Sequence, residues 1–244
     1  MNWAITRQIV FAFGALVVAV ALGVGGYFAF FYRAPSCTDG VQNGDEVGVD
    51  CDGSCVQLCV QPPITPLWAR SVRVAPGVYH AVALIKNPNT EAAGVVPYTV
   101  SLFDMSNILI ATREGEFNLL PGESAPLFEA NVITGERTPT RTFVDVGMGT
   151  FEKRKREASK VRVLSFDVVP EERQVTALVE NQTLFPVQDI SVTALIFDAN
   201  DVLAYASQTT VDVLAPRERK QITFTWQEPL TVTGRVDIIP RTLR

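Results

Sequence analysis

Four cysteines, five carboxylates and an asparagine share one short stretch, residues 37–59, CTDGVQNGDEVGVDCDGSCVQLC. Cys37, Cys51, Cys55 and Cys59 can form two disulfides, and the sequence leaves all three pairings of four cysteines open. Zinc is disfavoured, because the spacing C-x13-C-x3-C-x3-C lacks the C-x2-C pairs of zinc knuckles. Asp39, Asn43, Asp45, Glu46, Asp50 and Asp52 set hard oxygen donors at short intervals among turn-permitting glycines, which is the donor chemistry calcium takes. The order is not that of an EF-hand loop, whose D-x-[DN]-x-[DN]-G run and distal Glu are missing. A disulfide-held turn with solvated carboxylates accounts for the same residues, so both readings stand. With no aromatic side chain and only five sizeable aliphatics, the stretch cannot build a core and needs covalent staples.

Elsewhere the chemistry is sparse. A single histidine, His80, removes Ser–His–Asp, Cys–His and multi-His metal designs as a class. The G-x-S-x-G, H-E-x-x-H, P-loop and G-x-G-x-x-G patterns are absent. No catalytic residue and no resident cofactor are assigned, calcium apart, and the expected class is non-enzymatic. Lys plus Arg number 21 against 26 Asp plus Glu, a formal charge of −5, which disfavours nucleic acid as a partner. One basic run interrupts this acidity: Lys153-Arg154-Lys155-Arg156, flanked by Glu152 and Glu157, could meet anionic polymers or headgroups, or lie solvated in a linker. Asn181-Gln182-Thr183 fits a glycosylation sequon.

The elements that must carry these residues begin with a membrane segment. Residues 9–32, IVFAFGALVVAVALGVGGYFAFFY, run uncharged between Arg7 and Arg33, longer than a signal-peptide core and ending in bulky residues. This predicts an uncleaved single-pass anchor, and the mean hydropathy of +0.18 is concentrated there. Ala15, Ala19 and Gly23 recur at helical spacing, a small-residue face through which two such helices could associate as a homo-oligomer. Cysteines directly after the anchor suit an oxidising exterior. The expected topology is therefore a cell-membrane protein with residues 1–8 cytoplasmic and 34–244 extracytoplasmic.

Beyond the Pro62-Pro63 connector, short Val/Ile/Leu/Phe/Thr-rich runs alternate with Pro, Gly, Asn and Asp breaks, the pattern of an all-β region. Ala83–Asn87 aligns with Ala177–Asn181, and Leu102–Asp104 with Ile196–Asp198, each 94 residues apart. Ile190, Val192, Ala194 and Ile196 share one strand face, with Ser191 and Thr193 on the other. Each unit offers about seven strand-sized runs, the content of an immunoglobulin-like sandwich. The expected fold is mainly β. A transmembrane helix and a Cys-rich stalk module (33–62) precede two tandem antiparallel immunoglobulin-like sandwiches, 63–149 and 150–244.

Two resemblances sharpen this. The Cys-rich stretch resembles the short secreted repeat C-x-D-G-x-x-N-G-x-E-x-x-V-D-C-G-G-x-C, departing at Asp52, where the pattern has glycine. That likeness implies an extracellular spacer. Residues 70–240 resemble the FxLYD β-sandwich domain, on Asn87, Leu102-Phe103-Asp104 and Leu120-Pro121-Gly122-Glu123-Ser124 in the first unit. The second keeps Asn181 and Phe197-Asp198 but reads Ala215-Pro216-Arg217-Glu218-Arg219, without the glycine and serine. The resemblance implies a sandwich in a bacterial envelope protein, and no reaction. The expected function is structural or adhesive presentation to a protein or envelope polymer. The alternative is an accessory subunit of an envelope complex.

Overall fold

The computed structural model describes residues 3–30, 32, 36–59, 64–231 and 234–242. Arg33 and the Pro62-Pro63 connector lie outside the described residues. The chain divides into two compact units, Met1–Cys59 and Val60–Arg244.

In the first unit, α1 runs from Trp3 to Phe30 and is long and apolar enough to cross a membrane over Ile5–Ala29. It takes in Trp3 and Arg7, ahead of the uncharged stretch, and the Arg7 guanidinium lies 4.8 Å from the Trp3 ring centroid. Its apolar side chains are exposed, Phe11 at 71% and Leu22 at 72%. Its length and composition are those of a membrane-crossing helix. The Cys-rich module, residues 36–59, is built of turns, with an isolated bridge between Gly48 and Cys51.

Among the described residues, the regular elements of the second unit are strands and one 3-10 turn at Pro170–Glu172. In chain order the strands are β1 (Thr65–Ala75), β2 (Val78–Lys86), β3 (Ala92–Phe103), β4 (Leu109–Leu119), β5 (Ser124–Ile133), β6 (Arg141–Val146) and β7 (Thr150–Lys153). After these come β8 (Val161–Val169), β9 (Gln174–Asn181), β10 (Val187–Phe197), β11 (Leu203–Leu214), β12 (Arg219–Thr225) and β13 (Val236–Thr242). They form four antiparallel sheets, β1-β2-β5, β4-β3-β6 with β7 also on β3, β12-β9-β8, and β11-β10-β13. Strands β1–β6 and β8–β13 pair in the same order. β7 stands outside that correspondence, since Thr150–Lys153 is zippered to Ala92–Val95 of β3 and Phe151 is buried there.

Period-two alternation sends the side chains of the two inner sheets into different cores. On β10, Ile190, Val192, Ala194 and Ile196 join Val175, Ala177 and Val179 of β9 and Phe224 of β12 in the core of the second lobe. The other face of β10 is buried too. Leu195 and Phe197 pack with Val72 of β1, Val82 of β2 and Leu203 and Ala206 of β11, and Trp68 meets the Phe197 ring edge-on at 6.2 Å. Thus β1-β2-β5 of one lobe lies face to face on β11-β10-β13 of the other. Ser191 and Thr193, the polar side of the alternation, are 5% and 1% exposed, and Thr193 accepts a hydrogen bond from Gln208 at 3.0 Å.

Two ion pairs cross that junction, an exposed one between Arg73 and Glu228 at 3.8 Å and a buried one that pins it. Arg241 on β13 reaches across the lobes to Glu123, with Nε to Oε1 at 2.7 Å and Nη2 to Oε2 at 3.0 Å. The same guanidinium donates to the Asn118 carbonyl and covers the Phe117 ring at 4.5 Å. The Arg241 side chain is 7% exposed and that of Glu123 19%. Removing either partner leaves the other, a largely buried charge, without its counterion. We expect Arg241→Gln or Glu123→Gln to destabilise Val60–Arg244 by about 3 kcal/mol, read as tryptophan fluorescence during denaturant unfolding of the full chain. The double variant should cost much less than the sum of the singles.

Candidate functional site

Three regions carry the candidate chemistry: the Cys-rich module, the polar positions shared by the two lobes, and the cleft where the lobes meet. In the module, Cys37 bonds to Cys55 and Cys51 to Cys59, so first pairs with third and second with fourth. Gly48 is required where it stands, because a Cβ there would lie 2.8 Å from the Cys59 sulfur and 2.9 Å from that of Cys51.

The six calcium-type donors all have work within the loop. Asp50 accepts from the N–H groups of Asp39 and Gly40 at 3.0 and 2.9 Å. Asp39 accepts from the Val41 N–H and the Asn43 amide. Asn43 takes the Ser36 N–H and gives its own to Glu46. Asp45 takes the Ser54 hydroxyl at 2.6 Å, and Asp52 the Cys59 N–H at 3.3 Å. A bound cation would have to share oxygens that already cap the module's own donors. Among the described residues, the one set of three metal-type side chains close together is Cys37, Glu46 and Cys55, whose two sulfurs are bonded to each other.

The polar positions matched between the lobes are backbone caps. Asn87 donates to the carbonyls of Ala92 and Leu120 and accepts from the Asn89 N–H. Asn181 donates to those of Phe185, Leu214 and Ala215 and accepts from the Thr183 N–H. Both side chains are 0% exposed, so the sequon asparagine is enclosed in the folded lobe. Asp104 accepts from Ser106 and Ile108, and Asp198 from Asn200 and Val202, each bond at 2.9 Å. Glu123 accepts from the Leu120 N–H and Glu218 from that of Ala215. The turn after Leu214 keeps the left-handed conformation of its counterpart, with φ of 59° at Arg217 against 62° at Gly122. An arginine holds it at a steric cost that glycine does not carry.

His80 sits on β2 half-buried, its Nδ1 accepting the Asn131 N–H at 3.1 Å and its ring 4.8 Å from Phe128. Burial lowers its pKa below the ordinary 6.5, so the neutral ring is favoured. Tyr98 on β3 donates to Glu129 on β5, and its pKa is raised by burial first and then by that carboxylate, which suits a packing bond rather than a proton carrier. Gly115 leaves room for its ring. Trp68 lies in the inter-lobe contact. Trp226, half-buried against the second core, lines a cavity of about 260 Å3 with Arg73, His80 and Tyr205. None of these groups brings a nucleophile to a base.

The basic run does occupy a defined place. Residues 154–160 line a cleft of about 260 Å3 together with Leu120–Ser124 and the end of β13. The sequence marks the charges of this cleft, but its floor comes from segments distant along the chain on either side, which no local signal reveals.

Neither disulfide crosses Cys59, and the module has no core of its own. Opening the 18-residue Cys37–Cys55 loop should remove about 3 kcal/mol from the module. We expect reduction of the full chain to make residues 37–59 protease-sensitive while the unfolding transition of Val60–Arg244 is unchanged, measured by mass-spectrometric mapping and tryptophan fluorescence.

No protein-family model matches the chain, and no curated protein does. Among solved structures, the crystal structure of red sea bream transglutaminase is similar at 13% identity, over 74% of this chain and 30% of that one, with a TM-score of 0.24. The chain thus spans under a third of that protein's length, and a likeness this slight carries no argument about activity.

Proposed function

We propose that the chain is a non-enzymatic, membrane-anchored protein that presents a rigid β body outside the cytoplasmic membrane. The observation that carries this reading is the pairing of all four cysteines within residues 37–59, directly after a helix long and apolar enough to cross a membrane. Disulfides persist in oxidising compartments, so the module and the β body belong on the exterior, with residues 1–8 inside. The common pairing order of β1–β6 and β8–β13, with matched Asn, Asp and Glu caps, supports a duplicated sandwich of the immunoglobulin-like, FxLYD-like kind. Such caps hold loops in shape, which suits a protein that binds rather than reacts. The partner is a protein or an envelope polymer, and the net charge of −5 argues against nucleic acid. Through the Ala15, Ala19 and Gly23 face, two anchors can pair.

A second reading, an accessory subunit of an envelope complex, is favoured by apolar side chains left in the open. Met105 is 80% exposed and Phe143 52% in the first lobe, with Leu184 at 69% and Phe185 at 74% in the second. Protease added to intact cells should remove residues 64–242, and a membrane-impermeant thiol reagent should label the four cysteines only after reduction. Protection of those residues until the cells are broken would overturn the exterior topology. Co-purification of fixed partners in mild detergent would favour the subunit reading over the solitary one.

A further inference from the structure

The basic run is not a free tail. Its first part is fixed by β7, where Phe151 is 1% exposed and the Arg154 N–H donates to the Glu91 carbonyl at 2.8 Å. Its far end is fixed where the Ser159 hydroxyl donates to the Val161 carbonyl at 2.7 Å, the Gln182 N–H donates to the Lys160 carbonyl at 2.9 Å, and Val161 enters the second core. Residues 154–159 are therefore a strap tied to both lobes, and their charges stand over one place. That place is the cleft floored by the Leu120–Ser124 turn of the first lobe and by Ile239–Thr242 of the second.

The charges in the cleft are unequal in what they have left to give. Glu123 is already neutralised by Arg241, and Lys160 lies 3.7 Å from Glu157. Among the described residues, Arg154, Lys155 and Arg156 take part in no ion pair, and the Arg156 guanidinium rests against the turn at Gly122. Three unpaired cations fixed over a concave surface on a protein of net charge −5 make a local field of the opposite sign. Two guanidinium forks beside an ammonium suit a tetrahedral oxyanion, which offers an oxygen edge to each, whereas a carboxylate offers one edge only.

We propose that the cleft between the lobes binds a phosphate-bearing anion through Arg154, Lys155 and Arg156. Its volume of about 260 Å3 holds one or two phosphate groups of a repeating polymer or a headgroup, not a large organic ligand. The remaining acidity of the chain keeps long nucleic acid away while leaving this spot available. The proposal deepens the presentation reading by naming what the body holds, and rests on it only for where the ligand is met.

The test is calorimetry on the purified full chain with inorganic tripolyphosphate at low salt, which does not depend on membrane topology. The triple variant R154Q/K155Q/R156Q should bind at least about tenfold more weakly. A charge-matched control at exposed strand positions, R70Q/R113Q/K220Q, should stay within about twofold. Glu157→Gln, which removes a carboxylate that lines the cleft and pairs with Lys160, should tighten binding severalfold. Unaltered unfolding midpoints check that the variants fold. Equal loss in the triple and control variants, no wild-type heat at millimolar ligand, or equally tight binding of a glutamate oligomer of the same charge would each overturn the proposal. In nanodiscs, weaker tripolyphosphate binding in phosphatidylglycerol than in phosphatidylcholine assigns the site to lipid headgroups, and equal binding assigns it to a soluble phosphate polymer.

Discussion

Two sheets of the β body are covered on a second face where the lobes meet, and most of the molecule's distinguishing features derive from that. β1-β2-β5 and β11-β10-β13 each line a core inward and meet each other outward, through Val72, Val82, Leu195 and Phe197. Stacking of this kind removes water from a face that a solitary sandwich would wet. It leaves a polar group there in need of a partner, and Arg241 has one in Glu123. The bidentate geometry matters because a buried guanidinium is tolerated only when its donors are met. Glu123 also caps its own turn at the Leu120 N–H. One carboxylate thus links the local shape of a loop to the docking of two lobes.

The same economy governs the other polar positions. Asn87 and Asn181, Asp104 and Asp198, Glu123 and Glu218 are spent on N–H and C=O groups that strand ends leave unpaired. In the Cys-rich module, Asp39, Asp50 and Asp52 do the same for turns that have no core beneath them. Groups so used hold the geometry of the turns they cap. The strap cations Arg154, Lys155 and Arg156 differ from these caps, taking part in no ion pair among the described residues.

The sequence made some of this legible for definite reasons. Alternation on β10 names the residues of the second core, because a strand with one apolar face shows period two whatever covers the other. It does not show that Ser191 and Thr193 are also covered, since the covering strands lie in the other lobe and leave no mark on local pattern. The 94-residue register is visible because caps need particular residue types, and those types recur. Thr150–Lys153 offers a single apolar residue, Phe151, so its pairing with β3 could not be read from it. The disulfide pairing is likewise a matter of loop path, which spacing does not fix.

A body joined through buried sheet faces should respond to heat as one object, although its strands form two lobes. Scanning calorimetry of the full chain in detergent measures this directly. One transition is expected for Val60–Arg244, with calorimetric and van't Hoff enthalpies in a ratio near one. Two separate transitions, one for each lobe, would contradict it.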